Sequence, residues 1–284
     1  MSHQIFNNRD TLEVILSFLS PADIKTAALV SNFWREVVEQ PRYWTWAKAR
    51  LSDLNFKEMF YSQRFRNIGH VELFLVDPNM KEDFFRYLRE QNCRLRSLEV
   101  RRRDLSSLYP YFEADIKLEE LAAQIFSQIA DSASDNSNLS LSKLDISYTW
   151  LNALSPELLS NAVLRLEEVN LTSTNLTTDQ VKTLFTAIVE RDNFKLRNLN
   201  ISSNPLLFVP EDTLSRACLK LTKLNILGCR LVDGHYNSLF QAIRDSQELK
   251  LKTLIVPPRA RFAFRKSELG KACLNKVNIL FSNN

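Results

Sequence analysis

The residues from which this chain could build redox, metal, nucleophilic or phosphate chemistry are few, and their spacing supports none of it. Cys93, Cys218, Cys229 and Cys273 form neither a CxxC pair nor a knuckle, the spacings that a zinc site or a redox disulfide needs. They read as reduced core residues. His3, His70 and His235 stand apart from one another, with no HxxxH and no carboxylate cluster, so neither a metal centre nor a histidine-based triad is expected. Gly69, Gly228, Gly234 and Gly270 do not make a phosphate-cradling loop. No catalytic residue, metal or cofactor is therefore expected, and the chain reads as a non-enzyme. One charged cluster remains: Arg94, Arg96, Arg101, Arg102 and Arg103. Arginines so grouped clamp phosphate or carboxylate groups on a partner. Glu113, Asp115, Glu119 and Glu120 follow in the same segment, and simple mutual neutralisation is the competing explanation.

The composition fits a globular protein, with 45% hydrophobic and 25% charged residues among 284. A net charge of +4 spread along the chain lacks the concentrated basic surface that nucleic acid requires. No stretch of about 18 apolar residues and no signal-peptide pattern occur, so no membrane partner is expected. A soluble, cytoplasmic and/or nuclear location is.

Any interaction chemistry must then rest on how the elements present apolar and amide side chains. Leu12, Ile15, Leu16 and Leu19 fall on one helical face. Ser20-Pro21-Ala22-Asp23 then stops one helix and starts another, because serine caps, proline suits the first helical position and Asp23 favours the dipole. Ile24, Ala27 and Ala28 continue that second helix, and Phe33, Trp34, Val37 and Val38 define a third that Pro41 ends. A unit this small leans on a neighbour or a partner.

The run from Leu19 to Trp44, with Leu29-Val30, Trp34-Arg35 and Tyr43-Trp44 as landmarks, resembles the F-box family. The resemblance covers residues 1–48 and implies docking to a Skp-type adaptor, and through it to a cullin and a RING protein. Leu12, Ile15, Leu16, Leu19, Val30 and Trp34 stand at the family's apolar positions and are the adaptor-binding residues so implied. The sequence departs from the family at its start, where Asn7 and Asn8 replace the usual Leu-Pro. The alternative is that the same helices only cap the end of a repeat array. Residues 49–67, with Phe56, Phe60 and Phe65, read as a buried helical joint.

From about residue 68 the chain repeats. Strand centres fall at Leu73, Leu98, Leu144, Val169, Leu199, Leu224 and Leu254, in steps of 25, 46, 25, 30, 25 and 30. The long step contains an insertion around residues 101–119 and a polar run at 131–138. Each copy reads LxxLxLxxNxL or a near variant, with Thr149, Thr174, Asn204 and Cys229 at the station that bonds the backbone of the neighbouring turn. A longer period of 55 pairs Leu166 with Leu221, Asn170 with Asn225 and Leu184 with Leu239. Residues 68–284 thus resemble the leucine-rich-repeat family, and within it the ribonuclease-inhibitor type, where helices alternate in length. The expected class is α/β: a three-helix head followed by a solenoid of about eight parallel strands inside and helices outside, counting Ile279 as the last strand centre.

In LxxLxL the leucines point into the core, which leaves the intervening residues on the concave face. The central column is Asp145, Asn170, Asn200 and Asn225, with Tyr148 beside it. These four and Tyr148, together with Arg101 and Arg102, are the candidate target-binding residues. A solvated ladder that only supports the sheet is the alternative for the asparagines. Taken together, the two resemblances imply a substrate-recognition subunit of an SCF-type ubiquitin ligase whose protein target is unidentified. A repeat protein that binds or inhibits a partner without ubiquitin transfer is the other expectation.

Overall fold

Asn8 starts the first helix. Its side-chain oxygen accepts the amide hydrogens of Asp10 (2.9 Å) and Thr11 (3.4 Å), so it serves as the N-cap of that helix. The computed structural model describes residues 8–19, 21–38, 48–51, 69–75, 95–102, 112–131, 141–261 and 273–282. They belong to two units, one drawn from residues 1–107 and 132–141, the other from 108–131 and 142–284.

The first unit opens with α1 (Arg9–Ser17), α2 (Pro21–Ala27) and α3 (Asn32–Val38). Ser31 caps α3 by accepting the amide hydrogen of Trp34 at 3.2 Å. Both α1 and α2 pack on α3. Leu12, Leu16, Ile24, Ala27, Ala28, Val37 and Val38 are buried. Among its described residues this unit also has three strands, β1 (Lys48–Leu51), β2 (His70–Leu75) and β3 (Ser97–Arg102), parallel and paired in that order. β1 corrects the start of the expected helical joint. Residues 49–51 pair with Val71, Glu72 and Leu73, and a sheet edge satisfies backbone groups that a four-residue helix would leave open. Residues 52–67 of that joint lie outside the described residues, as do 39–47.

The second unit begins with α4 (Phe112–Asp131), a helix where the sequence showed only an insertion. Six parallel strands follow in chain order: β4 (Lys143–Asp145), β5 (Glu168–Asn170), β6 (Asn198–Asn200), β7 (Lys223–Asn225), β8 (Thr253–Val256) and β9 (Asn278–Phe281). Their register aligns Leu144, Val169, Leu199, Leu224, Leu254 and Ile279 in one row. All six are buried. Each position expected to centre a strand lies in one, from β2 to β9, but in the first unit the two rows are offset by two residues: Leu73 pairs with Val100 and Leu98 with Val71.

Helices α5 (Pro156–Val163), α6 (Thr178–Glu190), α7 (Glu211–Lys220) and α8 (Asp233–Asp245) connect the strands. Their lengths alternate short and long, 8, 13, 10 and 13 residues, as the 25 and 30 steps require. The longer helices also need longer closures. Lys220 donates to the carbonyls of Val189 and Arg191 at the end of α6, and Lys276 donates to those of Arg244 and Ser246 at the end of α8. Each ammonium satisfies terminal carbonyls and opposes the negative end of the helix dipole.

Candidate functional site

In the helical head the residues expected to meet an adaptor divide into two sets. Leu12 and Leu16 are buried at 1% and 3% exposure, which corrects their placement in the binding set. The head has its own core to fill, and burying each of these leucines contributes about 1.5–3 kcal/mol that exposure to a partner groove would forfeit. Ile15, Leu19 and Trp34 are half-buried. Val30 is exposed, and so are three residues that periodicity alone passed over: Val14, Phe18 and Leu29. Phe18 is 83% and Leu29 75% exposed. Both lie in the turns that end helices: Phe18 follows α1, and Leu29-Val30 follow α2, with amides bonded back to Thr26 and Ala27. A large apolar residue in a helix-ending turn, next to but off the i, i+3, i+4 face, was the available signal.

The central column of the second unit is real, and its chemistry is more local than a ladder. Asn170 donates to Asp145 across one strand pair at 2.9 Å. Every other bond given for the column turns inward along its own chain. The side-chain oxygen of Asp145 accepts from the amide and hydroxyl of Ser147, that of Asn170 from Thr172, that of Asn200 from Ser202, and that of Asn225 from the Leu227 amide. These are Asx turns, and they close the strand end. Their use of the oxygens leaves the Nδ2 groups of Asn200 and Asn225 as the donors available to a partner among the described residues. Tyr148 is exposed. The side chains of Arg101 and Arg102 lie outside what is described, as do Arg94 and Arg103.

Those closures force an unusual backbone. Tyr148, Ser173, Ser203 and Gly228 occupy equivalent turns and all have positive φ, 62°, 53°, 59° and 71°. Only one is glycine. The next station is buried: Asn204 donates to the carbonyls of Leu171, Ile201 and Ser202, Thr174 donates to Leu171, and Cys229 donates to Ile201. Asn204 and Cys229 therefore tie their turns to the ones before, while Thr174 bonds within its own turn and to Asn204 of the next at 3.4 Å.

Cys218, Cys229 and Cys273 are buried and unpaired. Burial raises all three thiols, and brings Cys229 to about 12 against the smaller opposing effects of hydrogen bonds from Asn204 and Ser203 and the charge of Arg259. The thiolate is the reactive form, so iodoacetamide at about pH 8 should leave these three unmodified in the native protein and label them once it is unfolded, as read by peptide mass. A folded thiol that resists ionisation also fixes a sign. Stability from these sites is present below the pH at which an unfolded thiol ionises, about 8.5, and is lost as pH rises beyond it. Among the described residues no cluster of His, Cys, Asp and Glu has metal-holding geometry, and no helix is long and apolar enough to cross a membrane.

The structure thus defines an α/β protein of parallel strand–helix units whose first unit includes a three-helix head. The F-box domain family matches residues 8–46, a segment that includes the three helices of that head. No curated protein matches the chain. Among solved structures, the crystal structure of the Rad7 and Elc1 complex in yeast is similar at 15% identity with a TM-score of 0.32, covering 90% of this chain and 78% of that one.

Proposed function

We propose that this chain is a substrate-recognition subunit of an SCF-type ubiquitin ligase. The F-box of residues 8–46 docks a Skp-type adaptor, and through it a cullin and a RING protein. The leucine-rich-repeat solenoid of residues 68–284 holds a target protein. Support comes first from one observation: the segment that matches the F-box family leaves Phe18, Leu29 and Val30 exposed, which is costly unless a partner covers them. Ile15, Leu19 and Trp34, half-buried, complete the adaptor surface. The amides of Asn200 and Asn225, with Tyr148 and Asp145, form the polar part of the target surface. The chain transfers nothing itself. It acts by raising the concentration of the target near a charged conjugating enzyme, in the cytoplasm or nucleus.

Val30→Asp tests this reading without disturbing the core, since Val30 is 64% exposed. The wild-type chain should co-purify with a Skp-type adaptor, and the variant should lose at least about tenfold in affinity with an unchanged melting temperature. A wild-type chain that folds and binds no adaptor would point instead to a repeat protein that binds or inhibits its partner without ubiquitin transfer.

A further inference from the structure

Two neighbouring loops in the second unit carry a surface that the central column does not explain. The loop before α7 exposes Leu207 and Phe208, and the residue before α8 exposes Val232. Phe208 is 61% exposed. The loops touch. His235 bonds the Val209 carbonyl through Nε2 at 3.0 Å, and the Glu211 carboxylate lies so close to Gly234 that an added Cβ would meet its oxygen at 2.1 Å. Beside the apolar residues stand Glu211, Asp212 and Asp233, all exposed, and none of them has a Lys or Arg within 4.0 Å among the described residues. Residues 203–213 and 228–234 contain one basic residue, Arg230, in a chain whose net charge is +4. The acidity is therefore local and runs against the whole.

A second observation is an unpartnered polar group at the same place. His235 is 6% exposed at its side chain, and its Nδ1 has no hydrogen-bond partner among the described residues. Its Nε2 donates to the Val209 carbonyl, and Nδ1 lies 4.0 Å from Glu211 Oε1. α8 also lacks a side-chain N-cap, because Val232 occupies that position.

We propose that this paired-loop surface binds a basic segment of the target protein, one that places Lys or Arg on the Glu211, Asp212 and Asp233 carboxylates and an aliphatic or aromatic residue against Leu207, Phe208 and Val232. The inference rests on the reading that the strand–helix units hold the target, and it names that target's chemistry. Charge complementarity sets the encounter and register, and the apolar residues supply the anchor.

The test is a random dodecapeptide library displayed on phage and panned on the full chain. Enriched peptides should carry net positive charge with apolar residues. Their affinity should fall about tenfold for Phe208→Ala, the cost of one lost apolar anchor, and by a similar factor for Asp212→Lys, with thermal melts of both variants unchanged. Acidic or uncharged enriched peptides, peptides that bind both variants as well as wild type, or no enrichment at all would each overturn the proposal. Adaptor co-purification is scored separately. Peptide binding by a chain that captures no adaptor sinks the ligase reading and leaves this surface standing, whereas adaptor capture without such peptides does the reverse.

Discussion

Asn204→Leu should lower the free energy of unfolding by about 4 kcal/mol and the melting temperature by about 10 °C, measured by urea and thermal denaturation followed by circular dichroism. Asn204 is 3% exposed and makes bonds that no apolar side chain can replace. Its Nδ2 donates to the carbonyls of Leu171 at 2.6 Å and of Ile201 and Ser202 at 3.2 Å, and its Oδ1 accepts the amide hydrogen of Leu176 at 3.1 Å. Leucine is close to it in size, so packing loss is small and the cost comes from stranded backbone groups, about 1–3 kcal/mol each. Leu176 N–H and Leu171 C=O both belong to the turn before that of Asn204, and losing both bonds unties one repeat from the next. Cys229 occupies the same station and gives a control. It donates only weak sulfur bonds, to the carbonyls of Ile201 at 3.2 Å and Leu227 at 3.7 Å, so Cys229→Ala should cost about 1 kcal/mol. Equal losses at the two positions would show that the asparagine's bonds are not what ties the turns.

The contrast between these positions explains what the sequence could disclose. Spacing located the strands and, from Leu144 to Ile279, their register, because burial on one face repeats with the unit and a leucine row is visible without coordinates; Leu73 and Leu98 are two residues out of row. The buried Thr174, Asn204 and Cys229 were legible for a related reason: a polar residue at a fixed offset inside an apolar pattern must have a backbone partner. The head was less legible. Leu12 and Leu16 share one helical face with Ile15 and Leu19, and periodicity cannot say which of them the domain's own core consumes. Phe18 and Leu29 sit in turns, where no period operates. The asparagine column aligns in register as its spacing implied, but its Asx turns were not legible, since such a turn is satisfied within two residues and leaves no mark on long-range spacing. β1 was missed because four residues, Lys48–Leu51, are too few to show alternation.

The 55-residue period makes a sharper claim, because it sets two different side chains to one task. Gln180 and His235 occupy the same station in successive long units. The backbone repeats around them: Asn175 and Arg230, also 55 apart, have φ of 52° and 53°. Gln180 is fully buried and donates through Nε2 to the carbonyls of Leu151 and Leu154, both at 2.7 Å, while its Oε1 accepts the Thr177 amide hydrogen at 2.7 Å. It thereby closes a capping box with Thr177 and holds the preceding loop in place. His235 reaches one carbonyl only, that of Val209, which corresponds to Leu154. Gln180→Leu strands three backbone groups and should cost about 3 kcal/mol. His235→Leu strands one and removes an unpaired buried Nδ1, so it should cost about 1 kcal/mol or less. Urea denaturation of the two variants in parallel decides the matter: a loss at His235 as large as that at Gln180 would mean that shape, rather than the count of satisfied carbonyls, governs this station.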